Sequence, residues 1–296
     1  MSRRVLALTA AIAATALLAS GCTAHSDGQD ATGRNPASTP APVPTPTQAP
    51  DPFPARVAVL GDSYSSGEGA GDYIDDGTQC HRNPHMYDVG PEAQNVACSG
   101  ATTADVPAQL DQLEQPVDLV IMTIGGNDIG FAQIMSDCLT GNLDGTSGAC
   151  AEQYADITDR IPDSVPALAD TYRLVRETTG APVVVLPYPG IIPTAGAQTT
   201  RCPLDDPTLA FAADVEAALD QAISQAVEAA GDPGILLADT VRGALDGHGL
   251  CQRDSWVHGL GGLQDVQELA HPTREGYTAI FRALREWAQT HDLVNQ

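Results

Sequence analysis

Three short stretches and one histidine carry residue types that can do chemistry together. Gly61-Asp62-Ser63 follows the apolar run Val57–Leu60, Ser99-Gly100 follows Gln94–Cys98, and Gly125-Gly126-Asn127 follows Val117–Ile124. A serine hydroxyl is a poor nucleophile alone; it needs a base, and donors for the oxyanion it creates. Ser63 is the candidate nucleophile. The backbone N–H groups of Ser63 and Gly100 and the Asn127 amide are candidate oxyanion donors. Gly100 has no side chain, so a substrate can approach its backbone closely. The base must be histidine, and the chain has seven. His25 falls in a proline-rich stretch, His81 and His85 lie near Cys80, His248 and His258 flank Cys251, and His291 is close to the end. His271 stands in Ala270-His271-Pro272-Thr273, just ahead of a helical pattern. Thr273 as N-cap and Pro272 before it hold the imidazole at a rigid position.

Plainer roles compete for the neighbours. Asp62 is expected to order the turn by bonding backbone N–H groups, and Asp128 to start the following helix. Gly-Asn-Asp without an upstream Asp-x-His or a histidine cluster gives no metal site. Arg82 and Trp256 are candidates for the pocket mouth, with packing as the alternative for Trp256.

These groups need a scaffold that brings them to one edge. Apolar strands at Val57–Leu60, Gln94–Cys98, Val117–Ile124, Ala181–Leu186 and Gly234–Asp239 alternate with helical patterns. The patterns cover Thr102–Leu113, Ile129–Leu139, Ala151–Thr178, Thr208–Ala230 and Thr273–His291. That alternation predicts βα units in a three-layer α/β/α sandwich with a central parallel sheet of about five strands. In a parallel sheet the three strand ends share one edge, where open α/β folds bind ligands. The polar, glycine-rich segment from Ser63 to Tyr87 reads as a long surface loop. The helix face near Phe131 and Ile134 is a candidate wall for an acyl groove.

Composition narrows the chemistry. The 296 residues carry a formal charge of −24, and all 14 cationic side chains are arginine. Schiff-base, pyridoxal and phosphate-loop lysine chemistry are therefore excluded, and the acidic balance argues against a nucleic-acid partner. Residues 1–22 read as an export signal: Arg3 and Arg4, the apolar run Val5–Leu18, then Ala19-Ser20-Gly21-Cys22. Small residues before a cysteine resemble a lipoprotein box, with Cys22 as the lipidated N-terminus; ordinary secretion is the alternative. Residues 23–54 are a Pro/Thr/Ala-rich linker, extended and semi-rigid, and residues 55–296 form the folded domain. Six cysteines remain besides Cys22, an even number suited to disulfides in an oxidising compartment. Six allow 15 pairings; sequence neighbours are the simplest: Cys80–Cys98, Cys138–Cys150 and Cys202–Cys251.

Gly61-Asp62-Ser63, Gly100, Gly125-Gly126-Asn127-Asp128 and His271, in that order from about residue 55 to 291, resemble the SGNH (GDSL-type) hydrolase superfamily. The resemblance implies a flavodoxin-like SGNH hydrolase fold. It implies Ser63 as nucleophile, His271 as base, and Ser63 N–H, Gly100 N–H and Asn127 as the oxyanion hole. Ala97–Ala101, Cys80-His81-Arg82, and His248–Cys251 with Ser255–Val257 are similar to the secreted actinobacterial esterase and lipase branch. That branch carries three disulfides between sequence neighbours, in agreement with the simplest pairing. The departure is at the acid. Many SGNH hydrolases have Asp three residues before the histidine; here Glu268 stands there. In the narrower branch a backbone carbonyl can orient the histidine, so the Glu268 side chain or its carbonyl is the candidate.

The expectation is an exported serine esterase or lipase that hydrolyses carboxylic esters through an acyl-enzyme, as a Ser-His dyad or Ser-His-Glu triad. It needs no cofactor or metal. It acts as a monomer on a small-molecule or lipid ester and touches the membrane only through an N-terminal lipid anchor. The alternatives are a lipid-anchored cell-envelope acyltransferase and a non-catalytic binding protein on the same fold.

Overall fold

Four apolar runs and one short polar strand pair into one parallel sheet: β1 Val57–Gly61, β2 Gln94–Asn95, β3 Leu119–Thr123, β4 Val183–Val185 and β5 Ile235–Leu237. The computed structural model describes residues 51–84, 89, 92–114, 116–143 (139–143 by backbone alone), 150, 152–193, 202, 204–259, 266–291 and 293. All of these fall within the unit Ala49–Gln296. The expected export signal, Cys22, the linker up to residue 50, His25 and His85 lie outside the described residues.

The strand order is β2-β1-β3-β4-β5. Val59, Ile121, Val184 and Leu236 form one row across four strands. Alternate residues point to opposite faces, and both faces are covered. Val57, Val59, Leu119 and Ile121 pack with Tyr277, Ile280, Leu284 and Trp287. Ala58, Leu60, Val120 and Met122 pack with Leu168, Tyr172, Val175 and Ile223. This is why the strands read as continuous apolar runs rather than alternating ones. Each large aliphatic side chain so buried contributes roughly 1.5–3 kcal/mol relative to exposure.

The helices include α1 Ser63–Ser66, α2 Val106–Leu110, α3 Phe131–Leu143, α4 Ile157–Arg160, α5 Val165–Thr179, α6 Asp206–Ala230 and α7 Arg274–Ala288. The expected helix over Ala151–Thr178 is broken into α4, a 3₁₀ turn at Ile161–Ser164 and α5. Pro162 and Pro166 supply no N–H and each opens a new helical segment. The expected Thr102–Leu113 helix shrinks to a 3₁₀ turn at Thr103–Asp105 followed by α2. Thr273 caps α7 as expected, its hydroxyl accepting from Gly276 N–H.

The segment after Ser63 departs from the expected surface loop: residues 61–70 are all buried, and exposure begins at Gly71. Several of its polar side chains meet partners inside the fold. Ser65 Oγ pairs with Thr123 Oγ1 at 2.8 Å, Ser66 Oγ donates to Ser63 O, and the Glu68 carboxylate meets His81 Nδ1 at 2.8 Å.

Disulfides join Cys80 to Cys98, Cys138 to Cys150 and Cys202 to Cys251. At the opposite edge of the sheet, ahead of β1, Phe53 is 5% exposed and packs on Phe281. The Arg285 guanidinium lies over both rings and donates to Asp51.

Candidate active site

The strand order reverses direction beside β1, so the crevice of this sheet opens at the C-terminal ends of β1 and β3. Gly61 closes β1 at φ +116°, and a Cβ there would stand 1.9 Å from Thr123 O. Only glycine fits so close a pairing of β1 and β3. The buried Gln109 side chain bonds both polar groups of the Gly61 backbone, at 2.7 and 2.8 Å. Asp62 then caps α1, accepting from Tyr64 N–H at 3.1 Å. Ser63 is the first residue of α1, so its N–H has no carbonyl partner within the helix.

His271 is held from two sides. Residues 256–258 pair antiparallel with 270–273 through Thr273 N–H to Trp256 O, Ala270 N–H to His258 O and His258 N–H to His271 O. From the sheet side, Tyr64 OH donates to Ala270 O at 2.6 Å. His271 Nε2 lies 2.7 Å from Ser63 Oγ, and Nδ1 lies 3.0 Å from Leu269 O. A carbonyl only accepts, so the proton is on Nδ1 and the Nε2 lone pair faces the serine. Burial pushes the imidazole down to about 4, with the Leu269 carbonyl opposing it. The ring is therefore neutral near pH 7, as a base must be.

Glu268 makes two hydrogen bonds beside the His271 loop. Its carboxylate accepts from Tyr73 OH at 2.7 Å, and its carbonyl accepts the backbone N–H of His271 at 3.0 Å. The carbonyl facing Nδ1 is that of Leu269, one residue on. Ala270, at φ +63°, turns the chain so that the imidazole folds back over Leu269.

Ser63, His271 and Asn127 share a pocket of about 130 Å³ with Phe131, Met135 and Leu269. Asn127 Nδ2 donates one hydrogen to Ala101 O at 2.9 Å. An amide carries two, so a second remains for a ligand. Gly100, at φ +81°, does not line this pocket; it lines a neighbouring cleft of about 300 Å³ with Arg82 and Gln112. Asp128 does not start α3. It accepts from Thr103 N–H and Oγ1, tying the β3 loop to the Gly100 loop. Ile134 is buried beside Cys138 and Ile157, and Met135 faces the pocket in its place. Arg82 bonds Ala97 O and Asp76, and Trp256 stacks on His248. Among the described residues, no three His, Cys, Asp or Glu side chains are placed to hold a metal ion.

The model of the GDSL-like lipase/acylhydrolase family matches residues 59–279, from within β1 to within α7. The chain belongs to this family. A lipase of Streptomyces rimosus is 37% identical over 227 residues, covering 73% of this chain and 80% of that one. Lipase 1 of Streptomyces coelicolor is 32% identical over 237 residues, with 75% and 82% covered. The crystal structure of the extracellular lipase from S. rimosus aligns with a TM-score of 0.69 at 30% identity, covering 79% of this chain and 99% of that one. That of phospholipase A1 from Streptomyces albidoflavus NA297 aligns at 0.67 and 31%, covering 78% and 98%. The fold is thus the three-layer sandwich expected, and this GDSL-like acylhydrolase is a carboxylic ester hydrolase.

Beneath the pocket of the acylhydrolase lies a carboxyl group that sequence reasoning placed only as a turn former. Asp62 is 1% exposed and accepts from Tyr64 N–H, from Thr123 Oγ1 at 2.7 Å and from Tyr188 OH. Desolvation nonetheless pushes it up to about 6. A carboxyl raised in the folded state stabilises fully below its unfolded value and loses that contribution as pH rises through about 6. The stability of wild type relative to Asp62→Asn should therefore fall by about 2 kcal/mol between pH 4 and 7. Urea melts at the two pH values measure it; a constant difference would show that the carboxyl titrates normally. Gln109 and Tyr188 support the site without any signal in their sequence context. His258, noted only as a neighbour of Cys251, holds the His271 loop through its backbone.

Proposed function

We propose that this protein is an exported esterase or lipase that works through a Ser63–His271 dyad. The observation that carries the reading is the 2.7 Å contact from His271 Nε2 to Ser63 Oγ, with Nδ1 tied to a carbonyl rather than a carboxylate. Ser63 Oγ attacks the ester carbonyl while Nε2 takes its proton. The oxyanion is received by Ser63 N–H and the free Asn127 amide hydrogen, with Gly100 N–H, from the adjoining cleft, as the third donor. His271 then protonates the departing alcohol. Water, deprotonated by the same nitrogen, opens the acyl-enzyme and restores Ser63. The Leu269 carbonyl fixes the tautomer and ring orientation, the part a triad carboxylate plays elsewhere.

The apolar wall of Phe131, Ala132, Met135 and Leu269 suits the hydrocarbon part of an acyl group. Relatives named as lipases and a phospholipase A1 support esters of that type. Three disulfides and the name of the extracellular S. rimosus lipase support export. Residues 1–22 then act as the signal, Cys22 as the lipid-modified anchor, and 23–54 as the spacer ahead of the hydrolase domain. A fluorophosphonate probe is expected to modify the chain once, with the adduct on the peptide containing Ser63. An adduct on another serine, or none, sinks the nucleophile assignment.

A further inference from the structure

Behind the Ser63–His271 pair lies a second set of polar side chains that the reaction does not touch. Tyr73 OH donates to Glu268 Oε1 at 2.7 Å and accepts from Gly69 N–H at 2.8 Å. The Gly69 carbonyl faces His258 Nε2 at 2.9 Å, and His258 Nδ1 stands 3.9 Å from Glu268 Oε2. Four groups thus close a ring: Glu268, Tyr73, Gly69, His258 and back to Glu268. The Tyr73 ring is itself stacked on His81, which pairs with the buried Glu68 carboxylate.

The backbones in this ring hold the reacting pair. Gly69 continues the turn that leaves α1, and a Cβ there would stand 2.4 Å from Pro272 O and 3.2 Å from His271 Cβ. His258 pairs with the backbone on both sides of His271, and the Glu268 carbonyl accepts the His271 N–H. Between them sits Ala270 at φ +63°, a conformation that a residue with a Cβ keeps only where its surroundings enforce it.

We infer that Glu268, Tyr73 and His258 are positioning residues, clamping the Gly69 turn against the His271 loop and so setting the Nε2–Oγ approach. The inference rests on Ser63 and His271 being the reacting pair. Burial and the adjoining Glu268 carboxylate push the Tyr73 phenol well above its ordinary value, so it remains a donor throughout the working pH range. Glu268 thereby acts on the histidine at one remove, through a phenol and a backbone turn.

The test is steady-state hydrolysis of p-nitrophenyl butyrate by the full chain, with thermal melts on every variant. Tyr73→Phe deletes both phenol bonds and keeps the ring over His81. It should lower kcat by about 10- to 100-fold, as a small misplacement of reacting groups does, with KM within about twofold of wild type. Glu268→Ala should do the same, and the double variant should fall little below either single, because all three break one ring. Glu268→Gln keeps an oxygen to accept from the phenol and should recover kcat to within about threefold of wild type. A purely structural role would lower the melting temperature without this kcat pattern or its rescue. If Tyr73→Phe does not fold, the contrast between Glu268→Ala and Glu268→Gln decides alone. The inference is overturned if Tyr73→Phe and Glu268→Ala both stay within twofold of wild type, or if Glu268→Gln is as impaired as Glu268→Ala. Ser63→Ala is assayed alongside. Its inactivity with unaffected ring variants defeats the clamp alone, whereas its retained hydrolysis defeats the dyad and the clamp together.

Discussion

Replacing His271 with alanine is expected to lower kcat on p-nitrophenyl esters by roughly 10⁵- to 10⁶-fold, and adding Ser63→Ala should lower it little further. The two side chains act as one unit. Without the Nε2 lone pair, the Ser63 hydroxyl has no acceptor for its proton, and without the hydroxyl the imidazole has nothing to activate. No substitute base stands by: the chain has no lysine, and His258 Nε2 is occupied by the Gly69 carbonyl. The pH dependence follows from the same environment. Burial holds the imidazole down to about 4, against 6.5 for a free one. Protonation abolishes the base, so the acid limb of kcat/KM should fall with a midpoint well below 6.5. Initial rates from pH 3.5 to 8 test this. A His271→Ala enzyme within a hundredfold of wild type would refute the dyad, and an acid limb at 6.5 would refute the desolvated base.

The second large effect is expected at Asn127. Asn127→Ala should reduce kcat by about 10²- to 10³-fold with little change in KM, the loss found when one oxyanion donor is removed. The amide also bonds Ala101 O, so some stability goes with it, about 1 kcal/mol for a lost hydrogen bond. Urea melts measure that part separately. If the rate loss is tenfold or less while the melt shifts as expected, Asn127 holds the Ala101 loop and does not serve the oxyanion.

Much of this site is legible in the sequence because its residues stand at punctuation marks. Ser63 and Asn127 each follow an apolar strand, and His271 precedes a capped helix. Element boundaries alone therefore bring all three to one edge. The partner of His271 Nδ1 is not legible in this way. It depends on Ala270 adopting φ +63°, which exchanges the Glu268 position for the Leu269 carbonyl, and nothing in Glu268-Leu269-Ala270 announces a left-handed residue. The buried segment 61–70 misleads for a related reason. Ser65, Ser66 and Glu68 look solvent-facing by composition, yet each meets a partner inside the fold. Gln109 and Tyr188 are silent as well, because their bonds to Gly61 and Asp62 cross long stretches of chain. The broken helix, by contrast, was readable from Pro162 and Pro166.

The Phe53–Phe281–Arg285 cluster has a mechanical consequence. Because Asp51 and Phe53 precede β1 in the chain, a load arriving from upstream reaches them ahead of the strand that carries Ser63 at its far end. Such a load meets the Asp51–Arg285 bond and the buried Phe53 ring before it meets β1. The cluster is a strain relief, as on an electrical cord. Were Cys22 the proposed anchor, the load it transmits would fall on this cluster ahead of the strand that carries Ser63.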